Sequence, residues 1–299
     1  MRKTGFIAIV GHPNAGKSTL LNAFIKQKVS IVSPKPQTTR DSIMGIWTDD
    51  DSQMVFVDTP GFLLSKNALN DYMLKSIDSA VKDVDCILLV IDGHDGISER
   101  ELQQIAKYSK QGVPLIVAVT KIDITQPAKL MPELAKLNEI EGIAEVYCVS
   151  AKRNRGVDEL KQALKKYLTD TEMYFDEDDV TDKSQRYIVG EIIREKVLIA
   201  CEKEIPHGIG VAINKMQWED TAWDIDATVI VEKASHKPIV LGKHGSMIKG
   251  IGIHARESIE KLLEAKVFLT LWVKVKEDWR NNPSMLNELG YKTTQSFRK

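Results

Sequence analysis

Gly11-His12-Pro13-Asn14-Ala15-Gly16-Lys17-Ser18 follows a short apolar run, Phe6 to Val10, and leads into a stretch of helical period. A loop that holds a triphosphate needs backbone N–H groups turned inward, hence glycines where side chains would collide, and fixed positive charge facing the β and γ phosphates. Gly11 and Gly16 meet the first need and Lys17 the second. Ser18 opens the helix and offers a hydroxyl to Mg2+. His12, Pro13, Asn14 and Ala15 complete the cradle, and Thr19 joins the cofactor-binding set.

The fold follows from what surrounds this loop. From Gly5 to about Thr169, further apolar runs (Met54 to Val57, Cys86 to Ile91, Leu115 to Val119, Ala144 to Val149) alternate with helical-period stretches. That alternation predicts an α/β domain, a mostly parallel sheet with helices on both faces. Such sheets bind ligands at the C-terminal ends of their strands, and the remaining motifs fall there.

Thr120-Lys121-Ile122-Asp123 follows the Leu115 to Val119 run. An aspartate there accepts from both the N1–H and the exocyclic amine of guanine, a donor pair that adenine lacks. Lys121 would lie along the base, and Ser150-Ala151-Lys152, after the next run, would bring backbone N–H to the guanine carbonyl. GTP and GDP are therefore the expected ligands, with an ATP-binding protein as the alternative. Asp58-Thr59-Pro60-Gly61 ends the Met54 to Val57 run, so Asp58 can hold Mg2+ while the Gly61 N–H senses the γ-phosphate. In the switch-like stretch Gln37-Thr38-Thr39-Arg40-Asp41, Thr39 is favoured over Thr38 as a Mg2+ ligand. Lys17, Thr39 and Gly61 are the residues expected to act on the transferred phosphate.

This set resembles the translation-factor-related GTPases, with instructive departures. Phe62 stands where Ras-like proteins place a water-orienting glutamine, and a phenyl ring cannot orient water, so intrinsic hydrolysis should be slow. Asn14 matches an asparagine that coordinates K+ in some relatives, although local hydrogen bonding within the loop is an equal reading. Arg40 is a second candidate for transition-state charge, or else an arginine facing a partner. Thr120 replaces the commoner asparagine and should weaken one contact to the base.

Between Asp170 and Asp182 lie seven acidic residues and no basic one, which reads as a solvated linker. The expected division is residues 1–169, a linker over 170–185, and a second domain over 186–299. In the latter, Tyr187 to Cys201 has helical period, Gly208 to Met216 and Trp223 to Glu232 alternate, a helix follows Gly245, and Val267 to Val275 is a strand. This is a small α+β domain.

The chain of 299 residues has a formal net charge of -1, so any affinity for nucleic acid must come from local charge. Residues 233–256 supply it, with five basic residues, three histidines and no acidic one. Gly242-Lys243-His244-Gly245 within that stretch has the form of a KH loop, whose glycines let backbone approach the phosphates of a single strand. Lys249 extends the positive footprint. His236, His244 and His254 lack a second ligand set, so no metal is expected on them. Three cysteines without a CxxC pair suit a reducing cytoplasm. No run approaches the roughly 20 apolar residues of a spanning helix.

With Gly190-Glu191-Ile192-Ile193-Arg194-Glu195-Lys196 and Leu271-Trp272-Val273-Lys274-Val275-Lys276 added, Gly5 to Tyr291 is similar to the Era family of bacterial GTPases. The resemblance implies a GTPase domain followed by a type II KH domain. It also implies binding of 16S ribosomal RNA near its 3′ end, a role in 16S rRNA processing and 30S subunit assembly, and peripheral membrane association in some members. DNA is not an expected partner, and the chain is expected to be a monomer. A nucleotide-gated scaffold for protein or membrane partners, with incidental turnover, is the alternative.

Overall fold

The computed structural model describes residues 2–62, 64–202 and 205–291. The expected C-terminal tail, 292–299, lies outside the described residues.

The first domain is built on strands β1 (Lys3–Gly11), β2 (Ile43–Thr48), β3 (Ser52–Asp58), β4 (Cys86–Asp92), β5 (Leu115–Thr120) and β6 (Glu145–Cys148), in the order β2-β3-β1-β4-β5-β6. All neighbours are parallel except β2 and β3. Helices α1 (Lys17–Ile25), α2 (Ala68–Ala80), α3 (Glu99–Tyr108), α4 (Pro127–Asn138) and α5 (Val157–Leu164) connect them. Two apolar layers result. Ile7, Ile9, Phe56 and Leu88 face Leu20, Leu21 and Phe24 of α1, while Phe6, Val55, Ile87 and Val117 face Ile105 and Tyr108 of α3. With both sheet faces covered, the central strands read as continuous apolar runs.

Edge strand β2 was not expected from the sequence. It is half of an antiparallel hairpin with β3, where Ile43 pairs with Asp58 and Thr48 with Gln53, and Gly45 within it breaks the apolar pattern. A Cβ at Gly45 would lie 2.5 Å from Leu21 Cδ1, so the glycine lets α1 pack close to the strand.

The acidic stretch departs from its reading as a solvated linker. Thr4 and Asp170 exchange backbone hydrogen bonds of 2.8 and 3.0 Å. The buried amide of Gln53 accepts from the N–H groups of Tyr174 and Phe175 at 2.9 and 3.1 Å and donates to the Phe175 carbonyl at 3.0 Å. Asp182 accepts from Met44 N–H at 2.9 Å, and Tyr174 meets Phe6 edge-on with centroids 4.8 Å apart. Glu172, Asp176, Glu177, Asp178 and Asp179 are exposed while the backbone, the aromatics and the Asp182 carboxylate strap the segment to the sheet, a pattern that charge content alone does not show.

The second domain comprises α6 (Gln185–Ala200), β7 (Gly210–Glu219), β8 (Ala222–Val231), α7 (Lys237–Leu241), α8 (Ser246–Leu263), β9 (Val267–Val275) and α9 (Pro283–Glu288). Its sheet runs β7-β8-β9, antiparallel then parallel. Ile225, Ala227 and Val229 of β8 pack against Val189, Ile193 and Ile259 of the helices. The two domains meet at a smaller apolar cluster in which Leu69, Tyr72 and Met73 of α2 contact Ile230, Trp279, Leu286 and Tyr291.

Candidate functional site

A cleft of ≈ 510 Å³ opens at the C-terminal ends of the strands, lined by Pro13, Asn14, Gly16 to Thr19, Ser33, Thr38, Thr39, Gly61, Lys121 and Lys152 among others. Five separate segments thus converge as the sequence spacing required. Lys17 is 6% exposed, and its ammonium donates to the carbonyls of Gly11 and His12 at 3.0 and 2.9 Å. Burial lowers its pKa to about 8, against the pull of Asp58.

Beside it Ser18, Thr39 and Asp58 form one cluster. Ser18 Oγ donates to Asp58 Oδ2 at 2.8 Å and shares a 2.8 Å hydrogen bond with Thr39, whose hydroxyl lies 3.4 Å from the same carboxylate oxygen. Ser30, which sequence reading missed, donates to Asp58 Oδ2 at 3.0 Å. Asp58 Oδ1 is buried with no hydrogen-bond partner among the described residues. Burial pushes the Asp58 carboxyl up while Lys17 and the hydroxyls pull it down. An orphaned carboxylate oxygen among hard hydroxyl ligands, next to a place for phosphates, fits Mg2+.

Gly61 closes over the loop. A Cβ there would lie 2.7 Å from Pro13 N and 2.8 Å from Pro13 Cα, so only a glycine allows the two backbones this approach. The Phe62 ring turns to the core, edge-on to His12 at 5.2 Å and stacked on Tyr108 at 6.1 Å, which leaves no polar group of residue 62 for the γ-phosphate.

At the base end, Asp123 Oδ1 accepts from Ser150 Oγ at 2.6 Å, and this bond holds the Asp123 carboxylate below its usual range. Lys121 pairs with Asp92 at 2.5 Å; Asp92, at the end of β4, is a positioning partner that the motif search did not single out. The Thr120 side chain turns into the protein. Its buried hydroxyl donates to the carbonyls of Ala15 (2.6 Å) and Ile91 (3.1 Å), tying β5 to the phosphate loop. Thr59 has a similar structural role, donating to the Ile9 carbonyl at 2.8 Å. Ser150 caps the turn Ala151–Arg153 by accepting from Arg153 N–H.

Two further expectations are corrected. Asn14 bonds not within its loop but across to the switch segment, its amide donating to the Pro34 carbonyl at 3.0 Å. Arg40 faces neither the phosphates nor solvent. It is 2% exposed and donates to carbonyls of the second domain.

In the second domain, Gly242 to Gly245 joins α7 to α8. Gly242 has φ 72°, and a Cβ on it would lie 2.7 Å from Met247 N. His244 and Gly245 are left-handed at φ 53° and 76°. The loop therefore delivers its backbone to the N-terminus of the 18-residue helix α8, where the helix dipole favours anions. Alongside runs a groove of ≈ 440 Å³ between α8 and β9, lined by Ile248, Lys249, Gly252, Ile253, Arg256 and Phe268 with the strand beyond. Phe268 is 69% exposed. Phe268 escaped sequence reading because only the packing of β9 beside α8 brings it to one groove with Lys249 and Arg256 of the basic stretch.

Residues 6–121 match the family model of 50S ribosome-binding GTPases, and residues 204–280 match that of KH domains. The chain is 45% identical over 293 residues to the GTPase Era of Clostridium kluyveri, covering 98% of this chain and 100% of that protein. Identity to the Era of Clostridium botulinum strain Kyoto is also 45%, over 98% and 99%. Among solved structures, Era in complex with MgGDPNP and nucleotides 1506–1542 of 16S ribosomal RNA superposes with a TM-score of 0.93 at 37% identity, covering 97% of this chain and 99% of that one. A variant of Aquifex aeolicus Era bound to GDP and aluminium fluoride gives 0.92 at 36% identity, with the same coverage.

Proposed function

The chain belongs to the Era family of GTPases, and from that premise we propose a GTP-hydrolysing switch whose KH domain binds 16S ribosomal RNA near its 3′ end. It assists processing of that RNA and assembly of the 30S subunit. The observation that carries this reading is that one chain holds both a complete triphosphate cleft and a glycine loop at the head of α8, beside an apolar groove edged by Lys249 and Arg256. The loop takes backbone phosphates, and the groove takes unstacked bases. Lys243 and Lys249 add salt-dependent attraction, with His244 beside them in the loop.

Within the cleft, Lys17 fixes charge at the β and γ phosphates, Gly61 N–H and Thr39 sense the γ-phosphate, and Asp123 reads guanine. Ser18, Thr39 and Asp58 hold Mg2+, which when bound neutralises phosphate charge. With Phe62 packed into the core, nothing at that position orients water, so intrinsic turnover is slow. A potassium ion is the candidate compensating charge, favoured by the span of Asn14 from the phosphate loop to Pro34; equal turnover in potassium and sodium buffers removes it.

Phe62 also favours the second reading, a nucleotide-gated scaffold with incidental turnover. The deciding measurement is steady-state GTP hydrolysis by the full chain with and without RNA of nucleotides 1506–1542. A rise that Gly242→Asp or Lys243→Glu abolishes supports the switch, and no effect of RNA on binding or turnover supports the scaffold.

A cytoplasmic location and a monomeric state belong to the same proposal. No helix among the described residues is long and apolar enough to cross a membrane, so membrane contact, where it occurs, is peripheral. Fractionation with and without membranes tests it.

A further inference from the structure

The first switch segment is held from two sides. On one, Thr39 meets Ser18 and Asp58. On the other, its neighbours are bonded to the KH domain. The Arg40 guanidinium donates to the carbonyls of Ile209 at 2.5 Å, His207 at 3.0 Å and Pro206 at 3.3 Å, and lies 5.7 Å from the centroid of the buried Trp279 ring. The carbonyl of Thr38 accepts from the Arg194 guanidinium of α6, which is itself paired with Glu191. Further along, Glu195 accepts from Val32 N–H at 2.9 Å and pairs with Lys28 at 2.6 Å.

Both residues flanking Thr39 are therefore anchored to the second domain. Arg40 and Arg194 are each about 1 to 2% exposed, and a buried guanidinium that loses its acceptors leaves an uncompensated charge. The segment then has two discrete choices: to stay with the KH backbone, or to leave it altogether. A shift of the 205–209 backbone relative to the sheet would carry Arg40, and Thr39 with it, away from Asp58.

Resting on the reading of the chain as a γ-phosphate switch that binds RNA, we infer that Arg40 and Arg194 are positioning residues linking the KH domain to Thr39. Through these two guanidinium groups the affinity for RNA and the affinity for Mg·GTP depend on each other. Such coupling is reciprocal, so each ligand changes the affinity of the other by the same factor.

The test measures the affinity of the full chain for RNA of nucleotides 1506–1542 by fluorescence anisotropy, once with MgGDPNP and once with MgGDP. Wild type should show two affinities differing by about 5- to 150-fold. Arg40→Lys keeps the charge but cannot reach three carbonyls, and Arg194→Gln is the second variant. In each, the ratio should fall to within about twofold of one, with affinity for GDP unchanged, because GDP has no γ-phosphate for the switch segment to sense. Variants that keep the wild-type ratio overturn the link and leave the switch reading standing. Variants that lose GDP affinity together with thermal stability show a merely structural role and also overturn it. A wild-type ratio of one refutes the switch reading, and the link with it.

Discussion

Raising the pH should weaken nucleotide binding through Lys17, on top of what deprotonation of the guanine N1–H at alkaline pH takes from the contact with Asp123. Among the described residues its ammonium has the carbonyls of Gly11 and His12 as acceptors, and burial lowers its pKa from 10.5 to about 8. Bound phosphate replaces that poor solvation with direct negative charge, so the value in the complex rises again and binding above pH 8 takes up a proton. Roughly three quarters of free sites are charged at pH 7.5 and roughly 3% at pH 9.5, for a value of about 8. The Lys17 contribution alone should therefore lower GDP affinity about 25-fold across that window, equivalent to about 1.9 kcal/mol. A phosphate's own second ionisation, near pH 6, lies below the window and does not contribute. Folding stability moves the other way. The folded, nucleotide-free chain binds fewer protons here than the unfolded chain between pH 8 and 10.5, so this site's contribution to stability rises with pH. The assay is calorimetric titration with GDP at several pH values in two buffers of different ionisation enthalpy, which reads affinity and proton uptake together. Affinity constant within about twofold from pH 7.5 to 9.5, with no proton uptake, would refute the reasoning.

Gly61→Ala would place a Cβ against the Pro13 backbone; GTP turnover should drop at least about tenfold in single-turnover assays while GDP affinity changes little. Asp123→Asn removes the acceptor for the guanine donor pair and should shift preference from guanosine to xanthosine nucleotides in competition binding. Thr120→Val leaves the Ala15 and Ile91 carbonyls without their hydroxyl donor and should lower unfolding free energy in urea by about 1–3 kcal/mol. Gln53→Ala strands the N–H groups of Tyr174 and Phe175 and should cost about 2–4 kcal/mol in the same assay, with faster proteolysis between residues 170 and 182 than in wild type.

The nucleotide cleft was legible because each of its parts is a short run whose spacing is set by local backbone demands. Gly11 to Ser18 is a turn between a strand and a helix, and Asp58 and Asp123 each sit just past a strand end. Parallel topology then gathers strand ends on one edge, so knowing the strands was enough to know that these residues meet. The KH loop was legible for the same reason: Gly242 and Gly245 mark backbone conformations that a side chain resists.

What the sequence alone determined, then, was the chemistry: which phosphates, which base and which strand type the chain can hold. Tertiary structure alone decided the connections. Arg40 looked from its spacing like a group for the transition state or a partner, yet its acceptors lie about 170 residues further on, at Pro206, His207 and Ile209. Thr120 looked like a weakened base contact and is a strut to Ala15. The acidic stretch looked solvated and is strapped down through Gln53 and Phe6. In each case one member of the deciding contact is a backbone carbonyl or N–H on a distant segment, joined at Phe6 by a ring contact. Every residue carries a carbonyl, so residue identity gives no signal for such a contact, and only packing selects which one is met.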